Sequence, residues 1–318
     1  MSAFQRLRTA ALILIMKKSF FTLLLLTAIN KIYSQDSSLL KMLNSSLEQE
    51  QTNTLVTGTF KAAQIINTPT IESPGKKNLQ FLIMHRFGKL NEGSYALFGL
   101  DNATIRFGLD YGITNRLSVG IGRSSLDKTF DGSVKYKVLQ QKLQGMPISF
   151  SIYELISHYT QKYTDKSFLN SKYRTSYTSA FLIARKFSSA LSLEFVPSWT
   201  HFNLVPTPKD KNDVFAVTAG GRLKFTRRMS LNAEYNYLFP NQVVSYKVHN
   251  SLSLGIDIET GGHVFQLVFS NSQGMIAPWY LAKTDGSWGK GDIFFGFNIS
   301  RNFSFNRKND KTGNQKKW

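Results

Sequence analysis

Between Ala103 and Ile121 apolar and polar positions change places at every residue. Ala103, Ile105, Phe107, Leu109, Tyr111 and Ile113 alternate with Thr104, Arg106, Gly108, Asp110 and Gly112. After Thr114-Asn115-Arg116 the pattern resumes, with Leu117, Val119 and Ile121 against Ser118, Gly120 and Gly122. A period of two places each set on one face of a strand. The stretch reads as a hairpin with one apolar, aromatic-ended face and one small or charged face. Two architectures present such a face: a half-buried sheet of a soluble protein, and a barrel wall with lipid outside and water inside.

From Leu79 onward the pattern predicts twelve strands, at about 79–87, 103–113, 117–123, 132–139, 148–157, 177–187, 191–201, 214–225, 229–237, 251–259, 263–270 and 291–299. No segment of comparable length carries an apolar stripe at helical spacing. Two connections, 124–131 and 140–147, are of equal length; elsewhere long and short connections alternate. The short ones are Thr114-Asn115-Arg116, Ser188-Ser189-Ala190, Thr226-Arg227-Arg228 and Thr260-Gly261-Gly262. An up-and-down barrel puts alternate connections at opposite rims, and outer-membrane barrels keep short turns on the periplasmic side. An even strand number also returns both chain ends to the short-turn rim. Tyr111, Phe187, Trp199, Phe225, Tyr235 and Tyr237 fall near predicted strand ends, as interfacial aromatic girdles do. The expectation is an all-β, up-and-down antiparallel transmembrane barrel over residues 79–305.

The N-terminus supplies the export signal this needs. Met16-Lys17-Lys18-Ser19 precedes the apolar run Phe20–Ile29, and small Ser34 follows. A basic n-region, an apolar run too short to span a bilayer and a small residue make a secretory signal peptide over 1–35, with Met16 as the true start. Residues 36–78 are expected to form a periplasmic or plug-like segment: 36–54 is polar, 55–66 looks extended with poor alternation, and Asn67-Thr68-Pro69-Thr70 and Ser73-Pro74-Gly75 break the chain. The tail 306–318 is polar and basic.

Charge and cysteine content narrow the chemistry. The chain carries 39 basic and 20 acidic residues and no Cys. Without Cys there is no disulfide framework and no thiolate metal site. Losing residues 1–35 lowers the net charge from +19 to +14, with 34 basic residues left. Much of the Lys lies in predicted loops and in the tail. For an exported barrel this excess points to the anionic membrane surface or to anionic solutes, and not to nucleic acid.

Several blocks resemble a family of Gram-negative outer-membrane barrels catalogued as domain-of-unknown-function 5777. They include His85-Arg86-Phe87-Gly88, Arg106-Phe107-Gly108-Leu109-Asp110-Tyr111-Gly112, Val119-Gly120-Ile121-Gly122-Arg123, His201-Phe202-Asn203-Leu204-Val205-Pro206, Ile258-Glu259-Thr260-Gly261-Gly262-His263 and Trp288-Gly289-Lys290-Gly291-Asp292. The resemblance runs over roughly 60–305. It implies a barrel fold in the outer membrane, with membrane lipid and the barrel-assembly machinery as partners, and it brings no substrate or catalytic residues.

The search for chemistry returns no catalytic, cofactor or metal residues. His85, His158, His201, His249 and His263 do not pair at metal-ligand spacing. His158 beside Ser157 and His249 near Ser251 are the only hints of a lipid-modifying barrel enzyme, and neither shows an orienting acid or Asn. Gly261-Gly262 and Gly286-Ser287-Trp288-Gly289-Lys290-Gly291 lack the order of a phosphate loop. The inward-facing set expected to line the lumen is Arg106, Asp110, Arg222, Lys224, Glu234, Asp257, Glu259 and Asp292, with Asn236 and Gln266. Mixed charge there reads first as cross-strand pairing that sets register, and second as a selectivity ring. The expected function is non-enzymatic: a narrow or gated passage for small solutes, or a structural and docking barrel. The alternative is a lipid-modifying enzyme. A lumen occluded in the structure would disfavour the passage, and a Ser, His and Asn or acid converging at the membrane-facing outer rim would favour the enzyme. The long loop 271–290, with Pro278-Trp279-Tyr280 and Trp288, is the expected place for ligand or partner contact.

Overall fold

The structure, a computed structural model, describes residues 54–305. The signal peptide expected at 1–35, the polar stretch to residue 53 and the tail 306–318 lie outside the described residues. Twelve strands follow in order: β1 (Asn78–Lys89), β2 (Ala103–Gly112), β3 (Leu117–Ser124), β4 (Thr129–Leu139), β5 (Ser149–Tyr159) and β6 (Thr175–Lys186). Then come β7 (Leu191–Phe202), β8 (Asp213–Lys224), β9 (Met229–Leu238), β10 (Ser251–Glu259), β11 (His263–Ser270) and β12 (Phe294–Ser304). Each pairs antiparallel with its sequence neighbours, and β1 pairs with β12 from Asn78↔Ser304 to Lys89↔Phe294, closing the barrel. Closure leaves no unpaired edge, which the interior of a bilayer demands.

Alternation places the apolar set outside, with Phe107, Leu109, Tyr111, Phe195, Trp199, Leu231 and Tyr235 all exposed. The inner face is dominated by small and polar residues such as Ser118, Ser151, Thr178, Ser192, Thr218, Ser230 and Ser253. One glycine of β3 has a particular reason. A Cβ at Gly122 would stand 2.4 Å from Arg106 Nη2 and 2.6 Å from Asp131 Oδ2. The absence of a side chain there lets Arg106 of β2 reach across β3 to Asp131 of β4, where Nε donates at 2.9 Å.

Two expectations are corrected. The ambiguous pair of connections is unequal: the outer one is 125–128 and the short-turn-side one is 140–148. The longer inner loop exists because it receives the N-terminal segment, through the Leu55↔Lys142 bridge and Val56 N donating to Gln141 O at 2.8 Å. The last strand starts at Phe294, three residues later than expected, so Asp292 belongs to the outer loop and does not line the lumen. Its carboxylate instead accepts from Asn91 Nδ2 (2.9 Å) and Ser287 N (3.1 Å), bracing two loops.

One residue breaks the outer apolar face. Glu154, midway along β5, points outward between Ile152 and Ile156 and accepts from Ser179 Oγ at 2.6 Å. A carboxylate on the lipid face costs free energy, less than the 2–4 kcal/mol of a basic residue at the same depth. Glu154→Leu is expected to stabilise the barrel by about 1–2 kcal/mol, read from reversible urea unfolding in liposomes. An unchanged or lower stability would mean that Glu154 is held by more than lipid and Ser179.

Candidate functional site

The lumen is occupied by the chain's own N-terminal segment. After its rim contacts at residues 54–57, the chain turns inward and forms a hairpin over 59–71. Ile65 N donates to Thr68 O and Thr70 N to Ala63 O, with Gln64 bridged to Pro69. The tip is the Ile66-Asn67-Thr68 stretch that the sequence marks as a break. The segment then returns to the same rim, where Lys77 N donates to Gly112 O (2.8 Å) before β1 begins. Gly112 must be glycine for this return, because a Cβ there would stand 2.1 Å from Gly75 O.

A two-stranded hairpin standing in a lumen has unpaired backbone groups on both edges, and burial makes each of them costly. The wall satisfies them with side chains. Glu234 of β9 accepts from the N–H groups of Ile66 (3.2 Å), Asn67 (3.0 Å) and Thr68 (3.0 Å). Glu194 of β7 accepts from Ile71 N at 3.2 Å. Lys135 Nζ donates to Thr70 O and Glu72 O, Gln266 to Ile65 O and Asn298 to Ile66 O, all between 2.7 and 2.9 Å. Arg86 Nη2 donates to Asn67 Oδ1 at 2.8 Å. The apolar side chains of the hairpin have sockets of their own. Phe60, Ile65, Ile66 and Ile71 pack against inward Ala180, Leu182, Ala184, Val196 and Val268. A Cβ at Gly220 would collide with Ile65 at 2.6 Å, and one at Gly255 would press Ile66 at 3.3 Å.

The expected lumen residues divide accordingly. Glu234 holds the hairpin tip. Arg106 is paired with Asp131, and Asp110 lies beside Gly120 in the same cluster with Lys135 and Tyr153. Asp257 accepts from Gln266 Nε2 at 2.8 Å and also from Asn232. Glu259 meets Lys61 of the incoming segment at 3.3 Å and Arg222 at 3.9 Å, while Lys224 is half-buried toward the short-turn rim. Asn236 accepts from Thr68 Oγ1 and Thr218 Oγ1. Arg86, Asp131, Lys135 and Glu194 were not among the expected residues. Strand phase alone puts Arg86, Lys135 and Glu194 on the inner face, and that signal was in the sequence; Asp131 fell in the connection expected at 124–131 and joins the inner face because β4 starts at Thr129.

The outer half of the lumen is narrowed by the β11–β12 connection, which turns inward and forms helix α1 (Ala277–Ala282), every residue of which is buried. Trp279, Tyr280 and Leu281 pack with Leu155 of β5 and Ala216 of β8, and Met275 packs on Leu82 and Met84 of β1. Pro278, Trp279 and Tyr280, expected at a ligand or partner contact, are thus buried within the barrel. Asn271 pins the start of the excursion by donating to Asn250 O and Gly286 O, and Thr284 O accepts from His249 N at its end.

Above α1 the outer loops enclose a vestibule of about 690 Å³. Asp210 clips two of these loops together, its carboxylate accepting from Val244 N (2.7 Å), Ser245 N (2.9 Å) and the Thr207 hydroxyl (2.8 Å). Desolvation pushes this carboxyl up, but the hydrogen bonds outweigh it and hold it well below the usual carboxylate range. A group whose folded pKa lies below its unfolded value stabilises fully above about pH 4 and loses that contribution only as the pH falls further. Asp210→Ala is expected to speed limited proteolysis within 203–212 and 239–250 at neutral pH, whereas acidification of the parent protein to about pH 4 should leave the loops protected. Equal cleavage of parent and variant would show that the clip is dispensable.

Neither Ser–His neighbour pair makes a Ser–His hydrogen bond among the described residues. Ser157 points inward to Ser176 Oγ (2.7 Å) while His158 points outward to Thr175 Oγ1 (2.9 Å). His201 Nδ1 and Trp199 Nε1 both meet Asp213 Oδ1 at the outer rim, at 2.8 and 2.9 Å. No group of three or more His, Asp or Glu with metal-binding proximity occurs among the described residues.

The chain belongs to the family of membrane bound beta barrel domains (DUF5777), whose profile matches residues 60–303. No curated protein matches it. Among solved structures it is similar to the NanC porin, at 10% identity and a TM-score of 0.45 over 71% of this chain and 100% of that one. It is also similar to the KdgM porin, at 8% and 0.42 over 72% and 99%. An outer membrane channel from Pseudomonas putida F1 aligns at 11% and 0.45 over 73% and 97%.

Proposed function

We propose that this membrane β-barrel is a gated, non-enzymatic passage for small solutes in the outer membrane of a Gram-negative bacterium, with the two inserted segments as its gate. A single observation carries the reading. Everything that blocks the lumen belongs to two segments outside the strands, the 59–71 hairpin and the loop bearing α1. Either can leave without breaking any of the twelve strand pairings, and the wall behind them stays largely polar. A barrel built only as a scaffold fills its interior with wall side chains. Here the wall recedes to Gly220, Gly255, Ala180 and Ala184 to make room for a separate piece of chain.

The occlusion counts against a passage as such, rules out a permanently open pore, and leaves gating as the form a passage can take. Such a gate resembles other order-changing switches, in which a segment held by a few polar contacts is released while the frame stays intact. The test is planar-bilayer current from the full chain, from a variant with 59–71 replaced by a Gly/Ser linker, and from that variant with α1 also replaced. Current that appears on removing the segments supports the passage. Silence of the doubly opened barrel, with its folded state verified by circular dichroism, overturns it in favour of a docking role.

A further inference from the structure

The outer vestibule has the composition of a binding site for one chemical class. Its size falls within the range of small-molecule pockets, and its walls are mainly aromatic and aliphatic, including Phe202, Tyr246 and Trp279. Its charges are unequal once those already engaged are set aside. Asp210 is saturated by its loop contacts, and Arg174 donates to Leu169 O and Gln161 O while stacking on Tyr159. That leaves Lys166, Lys211 and Lys283 against Asp127, and none of the three has a carboxylate within ion-pair distance among the described residues. Lys283 stands at the floor, its ammonium 3.4 Å from the Trp279 ring centroid and 5.6 Å from that of Phe202.

We infer that the vestibule binds small carboxylates carried on an apolar or aromatic ring, with the carboxylate on Lys283 and the ring against Phe202 and its neighbours. The choice against a hydroxyl-rich solute comes from the polar side chains of the lining. Ser157 and Ser176 bond each other, Asn203 donates to Lys172 O, and the Tyr246 hydroxyl donates to Ala282 O. The phenols of Tyr159, Tyr163 and Tyr173 and the carboxylate of Asp127 remain, too few to match the many hydroxyls of a sugar. A cation held between two aromatic rings, by contrast, offers a charge beside an apolar surface in one place. Desolvation by the vestibule wall pushes the Lys283 ammonium down to about 8, with Asp127 pulling the other way, so the charge is present at neutral pH. The inference rests on the passage reading insofar as it makes this ligand the solute admitted; binding itself requires no transport.

Calorimetric titration of the refolded full chain in zwitterionic detergent tests it, with empty micelles as blank. The probes are benzoate, cyclohexanecarboxylate, benzyl alcohol and glucuronate. Saturable binding of the first two, much weaker binding of the alcohol and of glucuronate, and a roughly ten- to hundredfold loss in Lys283→Gln are expected. Lys283→Arg and the loop control Lys162→Gln should retain binding, which separates a lost contact from a misfolded mouth. Equal binding of benzyl alcohol and benzoate, unchanged affinity in Lys283→Gln, or a preference for glucuronate would each overturn the assignment. Binding without current in the bilayer assay would sink the passage reading alone; current without benzoate binding would sink this assignment alone.

Discussion

Replacing residues 59–71 by a flexible linker of equal length is expected to turn a silent barrel into one that passes current in discrete steps. In the intact chain the shut state is favoured for two reasons. Phe60, Ile65, Ile66 and Ile71 are all at most 3% exposed, and fully burying each such side chain contributes about 1.5–3 kcal/mol. The hairpin's buried backbone groups also find partners on the wall, through Glu234, Glu194, Lys135, Gln266 and Asn298. A Gly/Ser linker supplies neither and stays solvated. The vacated wall carries both signs, with Arg86, Arg106, Lys135 and Arg222 facing Glu194, Glu234, Asp131 and Asp257, so the current should show little preference between cations and anions. Because α1 still stands above the vacated space, the larger step should come when it too is replaced. A hairpin-less barrel as silent as the parent, together with a doubly opened one that is equally silent, is the result that ends the passage model.

Glu234→Ala is the single substitution with the largest expected effect on the gate. It removes the acceptor of three consecutive backbone N–H groups at the hairpin tip. Leaving a buried N–H group without an acceptor costs about 1–3 kcal/mol for each group. That cost falls on the docked state, since the undocked hairpin is solvated either way. The docking equilibrium should therefore shift by roughly a hundredfold or more, seen as flickering current from an otherwise silent chain and as faster backbone hydrogen exchange over 63–70. Glu234→Gln keeps one carbonyl oxygen for the tip and should fall between the two. Strand-pair exchange in β9 should hardly move in either variant. If exchange over 63–70 is unchanged in Glu234→Ala, the hairpin is held by its apolar sockets and not by this carboxylate.

The residues that make the gate were visible in the sequence in a form that concealed their purpose. Glu234, Asp257 and Glu259 could be placed on the inner face by strand phase, and so could Arg86, Lys135 and Glu194. What they bind could not be seen, because their partners are backbone groups of residues 65–72, which carry no side-chain signature. Asn67-Thr68-Pro69-Thr70 reads as a break whether it turns in solvent or inside a barrel. Inward glycines at 220 and 255 were a usable hint, since a wall facing water has no need of them. The burial of the loop residues Pro278, Trp279 and Tyr280 was not legible, because aromatic residues in a long loop suit an exposed contact and a buried helix equally. Asp292 was misplaced by a three-residue error in where the last strand begins.

The sequence by itself determined what depends on local period and on counting. Alternation specifies which side chain meets lipid, twelve strands bring the ends together, and most connection lengths assign the rims. These follow from backbone geometry and from the need of a bilayer-spanning sheet to close, and each is repeated many times along the chain. The tertiary structure alone decided whether the closed wall is empty. Filling it depends on the fit of two non-repeating segments to sockets and charges drawn from most strands of the wall, and such a fit has no period to read along the chain.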